Sequence, residues 1–150
     1  MRVDCFLADS VVSAEGKLYA QGIGWNAIAM PAFPAIHDRI GVGLVVHVPY
    51  TATNEPHSLE VRIERDGRLM TLAPGGEVPE GVEAPTSIRA DFNVGRPPQL
   101  APGAEQLVCF AMNLNALRFD EPGSYEVVVT LDGADQEDRL VFTLQQGAGA

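Results

Sequence analysis

The feature that most constrains this chain is alternation of apolar with polar or small residues, in runs cut short by glycine, proline and aspartate. In "IGVGLVVHVP" Ile40, Val42, Leu44, Val46 and Val48 take every second position, with Gly41, Gly43, Val45 and His47 between them. Successive side chains of a strand point to opposite faces, so this period of two fits a strand and not a helix, which repeats about every 3.6 residues. "HSLEVRIERDGRLMTL" alternates Leu59, Val61 and Ile63 with Glu60, Arg62 and Glu64. It then offers Asp66-Gly67, the residue types that a two-residue hairpin turn needs. "SYEVVVTLDG" places Tyr125, Val127, Val129 and Leu131 inward, and beyond the turn at Asp132-Gly133 "RLVFTL" does the same with Leu140, Phe142 and Leu144.

Further strands are expected near Val3 to Ala8, Lys17 to Gly22, Trp25 to Ala29, Ser87 to Val94 and Gln106 to Leu114, about nine in all. Turns recurring every ~8–12 residues indicate an antiparallel sandwich or barrel. Six of the eleven prolines lie between Pro74 and Gly103, which marks an irregular connection carrying one edge strand. With 150 residues, 46% of them hydrophobic, the chain suffices for one domain with its own core. That domain is expected over residues 1–145, with 146–150 as a flexible tail.

Charge narrows the partners. Ten basic residues against twenty acidic ones leave a formal charge of −10, which opposes both a phosphate backbone and an anionic lipid surface. Neither nucleic acid nor a membrane is an expected partner, and no apolar run has the length of a membrane helix. "MRVDCFLADS" lacks the basic and apolar regions of a secretory leader, so a cytoplasmic location is expected.

The stretch "YAQGIGWNAIAMPAFPA", Tyr19 to Ala35, has no formal charge and holds the only tryptophan. Its first part alternates as a strand does, and "MPAFPA" then turns a corner, because each proline removes a ladder donor. Trp25, Met30 and Phe33 fall within nine residues, and aromatic residues and methionine are enriched where interfaces form.

Four segments in order, "GKLYAQGIGW", "PHSLEVRIERDG", "NVGRPPQLAPG" and "PGSYEVVVTLDG", resemble a family of small, single-domain, uncharacterised bacterial proteins, a domain of unknown function. The resemblance covers most of the chain. It implies an all-β, antiparallel, immunoglobulin-like Greek-key sandwich of about seven to nine strands and brings no activity, cofactor or catalytic residue.

If residues 40 to 48 form one strand, His37 and His47 are expected about 25–30 Å apart, too far to share a metal. His47 and His57 flank a single connection and read as surface histidines. "DGADQED" gathers Asp132, Asp135, Glu137 and Asp138 without the ligand spacing of a calcium loop, so no metal and no cofactor are expected. Cys109, within "LVCFAM", reads as a core thiol and not as a nucleophile. Tyr125 follows Pro122-Gly123 as the corner tyrosine of a Greek-key sandwich does.

The leading expectation is a non-enzymatic interaction module that binds a protein partner or self-associates through Trp25, Met30 and Phe33. The alternative is a small-ligand pocket lined by Trp25, Tyr50 and Arg96, and the third reading is an enzyme with a scattered site. Cys5 and Cys109 are expected as reduced thiols, as in a reducing compartment. Titration after denaturation without reductant should find both thiols of the chain; a count of zero would mean they are joined.

Overall fold

A computed structural model describes residues 1–133 and 137–147. Eleven strands build it: β1 (Arg2–Ala8), β2 (Ser10–Ala14), β3 (Lys17–Gln21), β4 (Ala27–Met30), β5 (Ala35–Val48), β6 (Pro56–Arg65), β7 (Arg68–Leu69), β8 (Ile88–Asn93), β9 (Gln106–Phe119), β10 (Gly123–Leu131) and β11 (Glu137–Gln146). The architecture is all-β, and among the described residues there is no α-helix. One sheet has the order β1-β5-β9. A larger one runs β4-β11-β10-β6, with β7 and β8 paired to the two ends of β6. Every ladder is antiparallel except that of β4 with β11.

Both sheets turn their alternating apolar faces to one core. Ile40, Val42, Leu44, Val46 and Val48 of β5 are fully buried, and so are Leu59, Val61 and Ile63 of β6. Tyr125, Val127, Val129 and Leu131 of β10 and Phe142 and Leu144 of β11 join them. Asp66 and Gly67 both have positive φ, as the hairpin turn between β6 and β7 requires.

Alternation fails at one informative place. Along β9, Met112 and Leu114 are buried at even positions, whereas beyond Ala116, at φ 51°, the buried residues are Leu117 and Phe119. The ladder with β5 continues in register to Ala35↔Phe119, so both strands turn a corner together instead of ending near Leu114 as their pattern suggests. The corner delivers Phe119 edge-on to Tyr125, centroids 5.0 Å apart, and to Phe142 at 6.1 Å.

The outward face of β5 serves a second packing layer. A Cβ added to Gly43 would stand 2.3 Å from the ring of Phe6, and one at Gly41 would stand 3.1 Å from the backbone of Ser10. Glycine at these two positions lets the β1 phenyl ring and the β2–β3 hairpin lie against the sheet. The hairpin turns at Glu15-Gly16, both at positive φ. Asn113 holds it, accepting from Val11 N at 3.0 Å and donating to Val11 O at 2.8 Å. β2 escaped the sequence reading because Val11 and Val12 are adjacent apolar residues, one buried and one exposed.

The outer face of the larger sheet is closed by charge. Arg62 donates to Glu137 at 2.7 Å and to Thr130 at 2.9 Å, and Arg139 pairs with Glu126 and Glu137. Val128 faces outward between these two arginines in the ladder and is nonetheless fully buried. Arginine stems cover apolar surface while their guanidinium groups stay wet.

Three expectations are corrected here. Trp25 precedes β4, which begins at Ala27, so it lies in the connecting loop and not within a strand. Cys109 is half-buried opposite Val45 on the outer face instead of in the core. Gln146, expected in a flexible tail, belongs to β11, and Gly147 N donates to Met30 O at 3.0 Å, so both residues are tied to the sheet. Residues 148–150 lie outside the described residues.

Gly43→Ala tests the second layer. A strand ordinarily gains from losing a glycine, but here the new methyl group meets the Phe6 ring, so a loss of about 1–3 kcal/mol is expected. Urea denaturation measures it, and in a Phe6→Ala background the same Gly43→Ala substitution should cost much less than in the wild-type chain. Equal cost in both backgrounds would contradict the packing.

Candidate functional site

The structure separates the residues grouped by sequence. Trp25, Met30 and Phe33 are each half-buried, with Trp25 and Phe33 packed on the core. The indole Nε1 of Trp25 is buried with no hydrogen-bond partner among the described residues. Trp25 borders β4 at one edge of the larger sheet, while Arg96 follows β8 at the other. Four strand spacings, roughly 19 Å, lie between those edges, so Trp25 does not share a pocket with Arg96.

Tyr50 and Arg96 do meet. The Arg96 guanidinium stacks 4.0 Å from the Tyr50 ring centroid, donates to Tyr50 O at 2.9 Å and bonds the Thr53 hydroxyl. Together with Asn54 N to Val94 O at 2.7 Å, this contact ties the β5–β6 connection to the loop after β8. Arg96 thus braces a loop.

His47 and His57, read from sequence as surface residues, are only 9% and 7% exposed. His47 sets Nε2 2.6 Å from Asp4 and Nδ1 3.0 Å from Glu105. Glu105 first and then Asp4 raise its pKa above the usual 6.5. His57 sets Nδ1 2.9 Å from Asp132 and Nε2 2.7 Å from the Ala52 carbonyl. Burial works against its charge, but the Ala52 carbonyl and the Asp132 carboxylate outweigh burial and raise its pKa. Two acceptors on one ring favour the doubly protonated imidazolium.

Ser58, His57 and Asp132 line one open hollow, and the residue types invite comparison with a hydrolytic triad. The geometry differs. A triad needs Nε2 free for the nucleophile, and here Ala52 O takes it. Asp132 also accepts from Ser58 N at 2.8 Å, and Glu137 is held by Arg62 and Arg139. Asp135 of the acidic turn lies outside the described residues. Among the described residues, no three His, Cys, Asp or Glu groups come together as a metal site requires.

Cys5 shares the inner face with Leu44, and Cys109 shares the outer face with Val45, with β5 between them. Opposite faces and two strand spacings exceed the reach of a disulfide. Burial first, then Asp138 and Asp4, push the Cys5 thiol up to about 11, so it is no nucleophile.

Two surfaces remain open. One is a cleft of about 560 Å³ where the core opens between the β6–β7 hairpin and the β9–β10 connection. Arg65, Arg68 and Arg118 line it above Met70, Phe119 and Tyr125. Tyr125 donates to Glu121 O at 2.6 Å and accepts from Arg65 at 2.8 Å, which closes the cleft floor. Sequence reading passed over this arginine group, although Arg65 and Arg68 flank the Asp66-Gly67 turn and such a turn sets them directly opposite each other. The other surface is the β2–β3 hairpin, where Val12 and Tyr19, also cross-strand partners, are 57% and 52% exposed. Ile23, just beyond, is 58% exposed.

The fold and these surfaces define an all-β domain whose titratable groups largely brace its own loops. The family of unknown function DUF6941 matches residues 4–143, and the chain belongs to that family. Among curated proteins and among solved structures, none matches the chain. No helix among the described residues is long and apolar enough to cross a membrane.

The two histidines give the fold a pH dependence. A group whose pKa is raised by folding stabilises the native state fully below its unfolded value, here 6.5, and that contribution is lost as pH rises through the native value. Unfolding free energy from urea titrations should therefore fall as pH rises above 6.5, and His57→Gln should flatten the slope. A rise over the same interval would contradict the assignment.

Proposed function

We propose that this chain is a non-enzymatic, cytoplasmic interaction module, an immunoglobulin-like Greek-key sandwich that holds a basic protein partner through the β2–β3 hairpin. Strand order supports the fold reading. Such sandwiches set a small sheet against one in which the last strands are central, and a corner tyrosine bonds back across the turn. Here β1-β5-β9 faces β4-β11-β10-β6, and the Tyr125 hydroxyl reaches Glu121 O four residues upstream. On this reading β1 and β4 are the two halves of a divided first strand, and β2–β3 is an insertion between them.

The observation that carries the function is the exposed Val12–Tyr19 pair on that insertion. Closing the core does not require it, and two large apolar side chains facing solvent on a clamped hairpin suit contact with another chain. Along the chain, Ile23 leads from the pair to Trp25, Met30 and Phe33, which places the contact a few residues upstream of the one expected from sequence. A formal charge of −10 favours a basic partner over a second copy. The thiols, set too far apart to pair, suit the cytoplasm.

A photoreactive phenylalanine analogue placed at Tyr19 in the source cell tests this reading, with the same analogue at Val82 as the exposed control. A discrete adduct with one protein is expected at Tyr19 alone, and it should be lost with Val12→Asp. Equal adducts at both positions, or none at Tyr19, would overturn the reading.

A further inference from the structure

We propose that the cleft between the β6–β7 hairpin and the β9–β10 connection is a binding site for a small zwitterion with an apolar side chain, an amino acid or a short peptide. This site is separate from the hairpin and does not depend on the interaction reading. Three of the ten basic residues of an acidic chain line the one cleft. Arg65 and Arg68 stand directly opposite each other in the ladder, and like charges so placed repel. Arg65 is neutralised: it bonds Tyr125, the Glu121 and Pro122 carbonyls and the Glu121 carboxylate at 3.2 Å. Arg68 lines the same cleft, is exposed, and has no such partner among the described residues. A carboxylate there would answer the repulsion with a bidentate pair.

Across the cleft, Arg118 is built in. A Cβ at Gly76 would stand 2.9 Å from Arg118 Cδ, so glycine leaves room for the arginine stem. Its Nε is spent on Asp120 at 3.0 Å. Asp66, Asp120 and Glu121 stand at the same rim, so the lining carries three positive and three negative side chains. With Asp120 paired to Arg118 and Glu121 to Arg65, Arg68 and Asp66 are left as one cation and one acid, which suits a ligand with one carboxylate and one ammonium group better than a doubly charged phosphate. Met70 and Phe119 supply the apolar floor, and about 560 Å³ lies within the usual range of small-molecule sites.

Calorimetric titration with leucine, N-acetyl-leucine, leucinamide and inorganic phosphate is the test. Leucine should bind at least about tenfold more tightly than either singly charged analogue, and phosphate should bind least. Arg68→Gln should weaken leucine by about tenfold or more and leave the melting temperature unchanged, since its side chain holds nothing else in the fold. Val82→Ala, exposed and outside the cleft lining, should leave binding intact. The proposal is overturned if leucine does not bind up to about 10 mM, if phosphate binds more tightly, or if Arg68→Gln binds like wild type.

Discussion

Everything in this fold rests on β5 being packed on both faces. Its inner side chains, Ile40 to Val48, are fully buried. Burial of five such residues contributes roughly 7–15 kcal/mol before chain entropy is subtracted, as much as the whole net stability of an ordinary domain. The outer face achieves contact in the opposite way, by having no side chain at Gly41 and Gly43. The Phe6 ring and the Ser10–Val11 backbone come down onto the strand itself. A central strand covered twice leaves the β2–β3 hairpin rigidly placed, with Val11 inside, Asn113 as its clamp and Val12 and Tyr19 turned out.

The polar groups follow a similar economy. Arg65 holds the Tyr125 hydroxyl, Arg96 braces a loop, Arg62 and Arg139 roof Val128, and both buried histidines are hydrogen-bonded links between segments. Buried polar groups persist only when their hydrogen bonds are met, so most of the groups that looked chemical in sequence are structural. Arg68 stands apart because it lies on a two-residue strand opposite Arg65 and pairs with no acidic side chain among the described residues.

Much of the sheet structure was legible. The core-facing residues of β5, β6 and β10 fall at the positions marked by alternation, and the Asp66-Gly67 turn, the edge strand β8 and the bond from the Tyr125 hydroxyl back to the chain were all visible. Alternation misled where a strand changes face, at Ala116, and where two adjacent valines part company in β2. It also set Trp25 within a strand, because "GIGW" continues the spacing while the backbone pairing begins only at Ala27. For the sites, residue type pointed to Trp25, Tyr50 and Arg96, and the tertiary structure joined only the last two.

The sequence by itself determined that the chain is β-rich, which face of most strands is apolar and where the tight turns fall, because these follow from side-chain period and from backbone freedom at single residues. Only the tertiary structure decided which strands are neighbours, that β4 runs parallel to β11, that the two cysteines face opposite sides of a sheet, and that Arg118 joins Arg65 and Arg68 at one cleft. The physical reason is that a strand carries unsatisfied donors and acceptors along both edges and can satisfy them against any partner. The choice is made by long-range packing, which no local pattern encodes.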